Sequence, residues 1–396
     1  MKKNVSLDLR ENLHQMIGVL GGGQLAQMLT EAATKRNIEI AIQTPTKNDP
    51  ATLNAKKIIH TKNNDTNAIK EMSKYCRSIT FENEWISIDK FASLEKEGVK
   101  FIPSIKSIAP LVDKVTQRLL LKDLNIPVSE WILLSEINES DNKLPNGFTF
   151  PLMAKASKGG YDGKGTRVLN DFNDLHNLIN LVKTDSWFLE KWVNYKKEFS
   201  LVASRDKYGK FRTFPLVETK QSNQICDFVL APAEVSHQVN MMAYNILLSI
   251  FTELQYVGII AIEFFYGDGG LVVNEIAPRT HNSAHFTIEA CESSQFDQQL
   301  CIAAELDVPG TTMSTPGALM VNLLGLSNSN PEKLAKRLEL LREIEDINLH
   351  WYGKKEEKPG RKLGHATFLL KNKNTDLRRQ EAMNLLNKVR AIWPKN

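Results

Sequence analysis

Residues 257–286, VGIIAIEFFYGDGGLVVNEIAPRTHNSAHF, constrain this chain more than any other stretch. They read as two apolar strands joined by a Gly-Asp-Gly-Gly turn. Each strand carries one carboxylate where a buried apolar side chain is expected, Glu263 and Glu275. A hairpin symmetric about Gly269 puts these two directly opposite each other on one face. Like charges placed so destabilise a sheet, and burying them unpaired is worse. One magnesium ion, or two, removes the conflict, because magnesium takes hard carboxylate oxygens together with phosphate oxygens. The alternative is an exposed edge hairpin with two solvated glutamates. Arg279, His281, Asn282 and His285 follow at once, a polar cluster at the end of an apolar strand.

The chain's 396 residues suffice for two or three domains with substantial cores. A net charge of +4 is too small for a nucleic-acid scaffold, though a local anionic site is compatible with it. Cys76, Cys226, Cys291 and Cys301 form no CxxC pair and read as small buried hydrophobes in a reducing compartment. The apolar runs are too short to span a bilayer. Residues 1–15 have two lysines but no apolar core, so they read as a short extension rather than a secretory signal. The expectation is a cytoplasmic protein with neither membrane nor nucleic acid as partner.

Residues 16–104 read as a doubly wound parallel α/β domain. MIGVLGGG is a buried strand entering a glycine turn, QLAQMLTEAATKRN a helix, and IEIAI a second strand. Gly21, Gly23 and Ala26 fit the G-x-G-x-x-A dinucleotide fingerprint. However, Gln43-Thr44-Pro45 stands where the ribose-binding acid belongs. Short strands recur near 57–60 and 78–81, and Glu82 lies just past the latter, where open α/β sheets place ligands. A helix-capping role for Glu82 is the alternative. A connecting segment, 105–149, is expected to hold a helix from Lys106 to Leu124, with Ile108, Leu111, Val115 and Leu119 along one stripe.

Residues 150–204 read as a compact α+β unit. Lys155 sits in the strand FPLMAKAS, and KGGYDGKGT follows, with four glycines in nine residues flanked by Lys158 and Lys164. Such a loop lets backbone fold over phosphates, although it lacks the Walker ending and a flexible hairpin would look similar. Residues 205–396 return to strands. Near their end, HWYGKKEEKPGRKLGH crowds Lys354, Lys355, Lys358, Arg361 and Lys362 into one loop. Without interleaved aromatics it suits a metabolite phosphate better than single-stranded nucleic acid, or it is a solubilising loop.

Together, GGGQLAQML, GGYDGKGT, NEIAPRTHNSAHF and HWYGKKEEKPGRKLGH resemble the ATP-grasp superfamily, and within it the 5-(carboxyamino)imidazole ribonucleotide synthase family. The resemblance covers nearly the whole chain. It implies an α/β ATP-grasp fold with an N-terminal Rossmann-like pre-ATP-grasp domain, a small α+β lid and a C-terminal α/β domain, usually as a homodimer. It implies that ATP phosphorylates bicarbonate and that the carboxyl group reaches the amine of 5-aminoimidazole ribonucleotide. Magnesium would lie on Glu263 and Glu275, with Asn274 at the same phosphates. Lys114, Lys155 and the loop Gly160, Tyr161, Asp162, Gly163, Lys164, Gly165 and Thr166 would cover the triphosphate. Glu190, Lys191, Trp192 and Val193 would line the adenine, and Glu198 would take the ribose. Arg279, His281 and Asn282 would hold bicarbonate. The ribonucleotide would lie against Tyr161 and Asp162, with Glu82 at its ribose. Its phosphate would meet Lys354 or Lys355, Arg361, Lys362 and the helix start at Gln24 and Leu25.

The chain departs from the family pattern twice. Lys114 stands for an arginine that contacts ATP, keeping the charge without the bidentate fork, and Gln221 stands where a histidine is usual. The competing reading within the superfamily is a formate-dependent glycinamide ribonucleotide transformylase, against which the PRTHNS stretch argues.

Overall fold

The computed structural model describes residues 16–137, 143–145, 147–160, 165–327 and 329–395. Three sheets organise it. The first is all parallel, in the order β3-β2-β1-β4: β1 (Met16–Leu20), β2 (Ile40–Thr44), β3 (Lys57–His60) and β4 (Cys76–Phe81). A parallel sheet needs both faces covered. Helix α1 (Gln24–Lys35) does this on one side by burying Ala26, Met28, Leu29, Ala32 and Ala33 at helical spacing. Helices α2 (Thr66–Ser73) and α3 (Ile88–Lys96) contribute Ile69, Met72, Phe91 and Leu94 to a second core cluster.

The helix expected over 106–124 is broken. A short turn (Ile105–Ile108) and a 3-10 segment (Ala109–Leu111) precede α4 (Lys114–Asp123). Pro110 supplies no backbone N–H, and the Asp113 carboxylate caps α4 by accepting from Val115 and Thr116 N–H. The restart rotates the buried face to Gln117, Arg118 and Leu121, and leaves Leu119 46% exposed. Lys114 thus opens α4, and Arg118 follows one turn later on the same face.

The second sheet is small and antiparallel, in the order β5-β8-β6-β7: β5 (Trp131–Leu133), β6 (Leu152–Ala156), β7 (Thr166–Leu169) and β8 (Trp187–Lys191). Helix α5 (Phe172–Leu181) covers it with Leu175, Leu178 and Ile179. The third sheet has nine antiparallel strands. It runs β14-β13-β9-β11-β12-β15-β17-β16, and β10 (Phe211–Thr213) also pairs with β9. These strands are β9 (Lys197–Arg205), β11 (Val217–Ser222), β12 (Ile225–Ala231), β13 (Gly258–Gly267), β14 (Gly270–Ala277), β15 (Gly317–Leu324), β16 (Asn348–Trp351) and β17 (Lys362–Leu370). Two strands fall across the boundaries expected from the sequence. β5, read as connector, joins the small sheet, and β9, read inside the small unit, is an inner strand of the large one.

Helix α6 (His237–Glu253) packs Leu247, Ile250 and Phe251 against Phe199, Ile260 and Ile262 of the large sheet. Helix α7 (Gln295–Ala304) joins the large sheet to the parallel one. Its Phe296 and Leu300 enter the α1 core, while Gln299 Nε2 donates to Thr80 Oγ1 of β4 at 2.8 Å. Helices α8 (Pro331–Arg342) and α9 (Thr375–Ile392) close the far end, where Trp393 is buried. All four cysteines are free thiols. Among the described residues no helix is long and apolar enough to cross a membrane.

Candidate active site

Glu263 and Glu275 are directly paired in the β13–β14 ladder, but not because the hairpin is symmetric about Gly269. The turn closes with Gly267 opposite Gly270. The register then shifts between Glu263 and Phe264, so that Asn274 is an extra residue on β14. A bulge of this kind bends the strand and re-aims side chains. Here Asn274 and Glu275 share the face of Glu263: Asn274 Nδ2 donates to Glu263 Oε2 at 3.3 Å. Both acids keep about a third of their side chains exposed, 29% for Glu263 and 35% for Glu275. Burial first, and the Glu275 charge second, push the Glu263 carboxyl up to about 7. Burial also opposes the charge on Glu275, but the ammonium of Lys114 contacts it and holds it below the usual carboxylate range.

Among the described residues no group of three or more His, Cys, Asp and Glu could hold a metal ion. The two opposed carboxylates, of which Lys114 contacts only Glu275 and leaves Glu263 raised, still fit magnesium. That ion takes one or two protein carboxylates and completes its shell with water and phosphate.

Behind this pair lies a buried ionic cluster shared by three elements. Lys155 Nζ of β6 is 2.6 Å from Glu190 Oε2 of β8 and donates to Asn274 Oδ1 at 3.0 Å. Arg118 of α4 donates through Nε to Glu190 Oε1 at 2.6 Å and through Nη2 to the Asn274 carbonyl at 2.6 Å. Burial disfavours the Glu190 charge, yet these two cations outweigh it and hold its carboxyl at about 2. The same burial pulls the Lys155 ammonium down from its usual value despite Glu190. Lys155, Glu190, Asn274, Glu263, Glu275 and Lys114 are therefore brought together, as expected. Arg118 was missed. The one signal available was its i, i+4 spacing from Lys114, hidden by reading α4 as part of a longer helix.

Nearby on the large sheet, Glu198 is hydrogen-bonded by Gln221 and Tyr195, and burial raises its carboxyl above the usual range. Lys191 is paired with Glu130 at 2.6 Å, Trp192 is exposed, and Val193 is partly covered. Gly160 and Gly165 approach closely, and Thr166 Oγ1 donates to Gln224 Oε1 at 2.5 Å. Tyr161, Asp162, Gly163 and Lys164 lie outside the described residues.

At the other end, the glycine turn after β1 is filled from within the protein. The Gly23 N–H donates to Glu82 Oε2 at 2.7 Å, and the Ala26 N–H reaches Oε1 at 3.5 Å. A Cβ on Gly21, whose φ is +119°, or on Gly23 would lie 2.4 Å from a Glu82 carboxylate oxygen. The G-x-G-x-x-A pattern therefore makes room for Glu82, which caps α1 as a substrate anion would. This bond engages the Gly23 N–H at the helix start, where a phosphate contact is expected, and both oxygens of Glu82, expected at the ribose. Leu25 packs against the α1 core.

Gln24 does point to the basic loop: its Oε1 accepts from Lys354 Nζ, which also donates to the Lys362 carbonyl at 2.7 Å. Lys362 is 9% exposed and faces Glu263 and His285 closely enough to shift both. Lys355 is exposed, and Arg361 lies 3.6 Å from the Glu356 carboxylate.

Of the expected bicarbonate residues, His281 Nε2 is 3.5 Å from Glu263, and its Nδ1 is 2.8 Å from Ser283 Oγ. Arg279 makes a two-point pair with Glu84, from the loop after β4, and donates Nη1 to its neighbour's carbonyl. Asn282 is committed elsewhere. Its amide exchanges two hydrogen bonds with that of Asn322, at 3.0 and 2.8 Å, within the core. That makes it a brace for the loop rather than a group offered to an anion.

Comparison with known proteins agrees with this architecture. Residues 14–111 match the ribonucleotide synthetase preATP-grasp domain, 119–296 the ATP-grasp domain, and 318–379 the phosphoribosylaminoimidazole carboxylase C-terminal domain. Over 380 residues the chain is 38% identical to the N5-carboxyaminoimidazole ribonucleotide synthase of Synechococcus elongatus, covering 96% of each. It is 34% identical over 370 residues to that of Staphylococcus aureus, covering 90% of this chain and 93% of the other. The structure of carboxyaminoimidazole ribonucleotide synthase from Aspergillus clavatus complexed with ATP matches with a TM-score of 0.86 at 29% identity, over 96% of this chain and 100% of that one. The Aspergillus clavatus N5-carboxyaminoimidazole synthase in complex with ADP and 5-aminoimidazole ribonucleotide matches with a TM-score of 0.84 at 28% identity, over 95% and 99%.

Proposed function

Because the chain belongs to the N5-carboxyaminoimidazole ribonucleotide synthase family of ATP-grasp proteins, we propose that it activates bicarbonate with ATP in the cleft between the small sheet and the β13–β14 ladder. The protein is an ATP-dependent ligase that carboxylates 5-aminoimidazole ribonucleotide in purine biosynthesis. The formate-dependent transformylase reading is not favoured, since the C-terminal domain match and the relatives both name the carboxylating enzyme.

In this reading the γ-phosphoryl group passes to a bicarbonate oxygen, giving carboxyphosphate and ADP. Carboxyphosphate, or carbon dioxide released from it, then bonds to the ribonucleotide amine, while phosphate and the amine proton leave. Magnesium on Glu263 and Glu275 would supply charge compensation for the phosphates. Lys155 and Asn274 orient the triphosphate, Glu198 with Gln221 takes the ribose, and the strand end 190–193 borders the adenine. Glu84 fixes the plane of the Arg279 guanidinium and uses two of its five N–H groups. A third goes to the Thr280 carbonyl, which leaves two for bicarbonate. Lys354, steadied by Gln24, and Lys362 meet the ribonucleotide phosphate. Closure of the small sheet and its glycine loop keeps water from an acyl phosphate. The reading also carries a cytoplasmic homodimer. Free thiols suit a reducing compartment, and the exposed Met241, Met242 and Leu248 of α6 offer an uncharged strip for a second copy.

The observation that carries this reading is the bulged pair, two carboxylates and an amide on one face against Lys155. The test is ADP release from magnesium-ATP. It should require both bicarbonate and 5-aminoimidazole ribonucleotide. Release driven by formate and glycinamide ribonucleotide would overturn the reading.

A further inference from the structure

We infer that Gln295 is a positioning residue for His281, holding the bicarbonate-side loop in register from the first turn of α7. The inference rests on the role proposed above for His281.

Gln295 is fully buried, and its amide is committed to the main chain of His281. Oε1 accepts the His281 N–H at 2.7 Å, and Nε2 donates to the His281 carbonyl at 2.7 Å. A backbone N–H can only donate and a carbonyl can only accept, so the two amide ends are assigned without ambiguity. Nε2 also lies 3.1 Å from Nδ1 of His285. Since Nε2 is a donor, that ring nitrogen accepts, which places the His285 proton on its own Nε2. One side chain thereby fixes both backbone groups of His281 and the tautomer of His285. His281 is left with its Nδ1 on Ser283 Oγ, itself 2.7 Å from Ser200 Oγ, and its Nε2 toward Glu263. The imidazole has its direction set from both ends.

Gln295 is itself anchored. Its N–H donates to Thr287 Oγ1 at 3.1 Å, and the Ser294–Asp297 capping box fixes the start of α7. Asp297 carries this further, to Arg36 at the end of α1, at 2.5 Å.

The same helix supplies the control. Gln298 is equally buried and equally bonded, donating to Ser293 Oγ at 2.7 Å and the Pro309 carbonyl at 2.8 Å, and accepting from Ser204 Oγ at 2.7 Å. None of these partners belongs to the proposed site. A purely structural role makes Gln295→Met and Gln298→Met alike; a positioning role separates them.

The experiment measures ribonucleotide-dependent ADP release and thermal unfolding for both variants, for Gln295→Glu and for His281→Ala. Expected are similar losses of thermal stability in the two methionine variants, but a kcat lower by roughly a hundredfold in Gln295→Met alone. The KM for ATP should stay within about twofold of the unaltered protein. Gln295→Glu keeps the acceptor for the His281 N–H and loses both donor contacts, so its kcat should fall between; it also decides the matter if Gln295→Met fails to fold. Equal kcat in the Gln295 and Gln298 variants overturns the positioning role, as does a KM for ATP that rises in step with the loss of kcat. An unimpaired His281→Ala overturns the underlying role of His281 and this inference with it. An impaired His281→Ala beside unimpaired Gln295 variants overturns the positioning role alone.

Discussion

Lys155 and Lys354 are both expected to meet phosphate, yet the fold treats them in opposite ways. Lys155 is 9% exposed and already paired with Glu190, inside a cluster that includes the 1% exposed Arg118. Lys354 belongs to a loop at 353–361 whose other cations, Lys355, Lys358 and Arg361, are exposed. A desolvated charge cannot wait without a partner, because its lost hydration has to be replaced inside the protein. The nucleotide cleft therefore carries its own counter-charges before any ligand arrives. In the basic loop Lys354 is steadied by neutral groups, Gln24 and the Lys362 carbonyl, while Lys358 and Arg361 share the exposed carboxylate of Glu356, a pairing that water screens. Substitutions in the buried Lys155–Glu190–Arg118 cluster should disturb folding, and substitutions at the part-exposed acid pair should disturb chemistry. Substitutions in the loop should disturb only the affinity for one substrate.

The largest expected effect breaks the acid pair. Glu275→Gln removes a charge that faces Glu263 and Lys114, and turnover should fall by about a thousandfold, the scale of losing one charge-stabilising group. Circular dichroism should report an intact fold. Near-normal ADP release would remove the metal-holding role from this pair and the contrast with the loop along with it.

Arg118→Met comes next. Breaking a buried ion pair from one side costs about 3–5 kcal/mol, which urea unfolding would read directly, whereas Lys354→Ala should leave unfolding unchanged. The sign with pH follows from Glu190. Its carboxyl sits at about 2 in the folded protein against 4.5 for the free group. The stability from its pairing is complete above the free value and is lost as pH falls through about 2. Without Arg118 that loss should begin at higher pH. Equal stability of Arg118→Met and the unaltered protein would show that the cluster is not a folding element.

Within the loop, Lys354→Ala should raise the KM for the ribonucleotide by roughly ten- to a hundredfold, as expected for one charge-assisted hydrogen bond. Lys355→Ala should change it by less than about twofold. The reverse order would mean that the bond from Lys354 to Gln24 is a structural tether and that Lys355 carries the phosphate.

The same contrast decides what the sequence made legible. Glu263, Glu275 and Lys155 stood out because a charge in an apolar strand violates a local pattern, and local patterns can be read in one dimension. The basic loop stood out because its charges are contiguous. Arg118 did not, because Asp113 and Pro110 restart the helix and rotate its face. Asn274 was noticed, but not as the bulged residue that restores the Glu263–Glu275 pairing after the off-centre turn. The Arg279–Glu84 pair joins residues 195 apart through two domains, and no periodicity announces such a contact. The glycine fingerprint misdirected for a physical reason. Glu82 satisfies the helix N-terminus as a bound anion would, and glycines are required in either case.

A weaker effect than that of Lys354→Ala tests the exposed end of the comparison. Arg361 lies at the close of the loop, its guanidinium donating to the Glu356 carbonyl at 3.2 Å and lying 3.6 Å from the Glu356 carboxylate. Both side chains are exposed, so this pairing is weak and easily exchanged for a phosphate. Arg361→Ala should raise the KM for the ribonucleotide about two- to fivefold, the scale of an exposed ion pair, and leave the KM for ATP unchanged. Salt should weaken ribonucleotide binding in the unaltered protein more than in the variant, because an exposed contact is screened. Glu356→Gln sharpens the point in the other direction: with its competitor gone, Arg361 is freer to turn inward, and the KM should fall slightly. If Arg361→Ala instead raised both KM values equally, the loop would act on the cleft, and the division between a pre-paired nucleotide site and a solvent-held phosphate site would not stand.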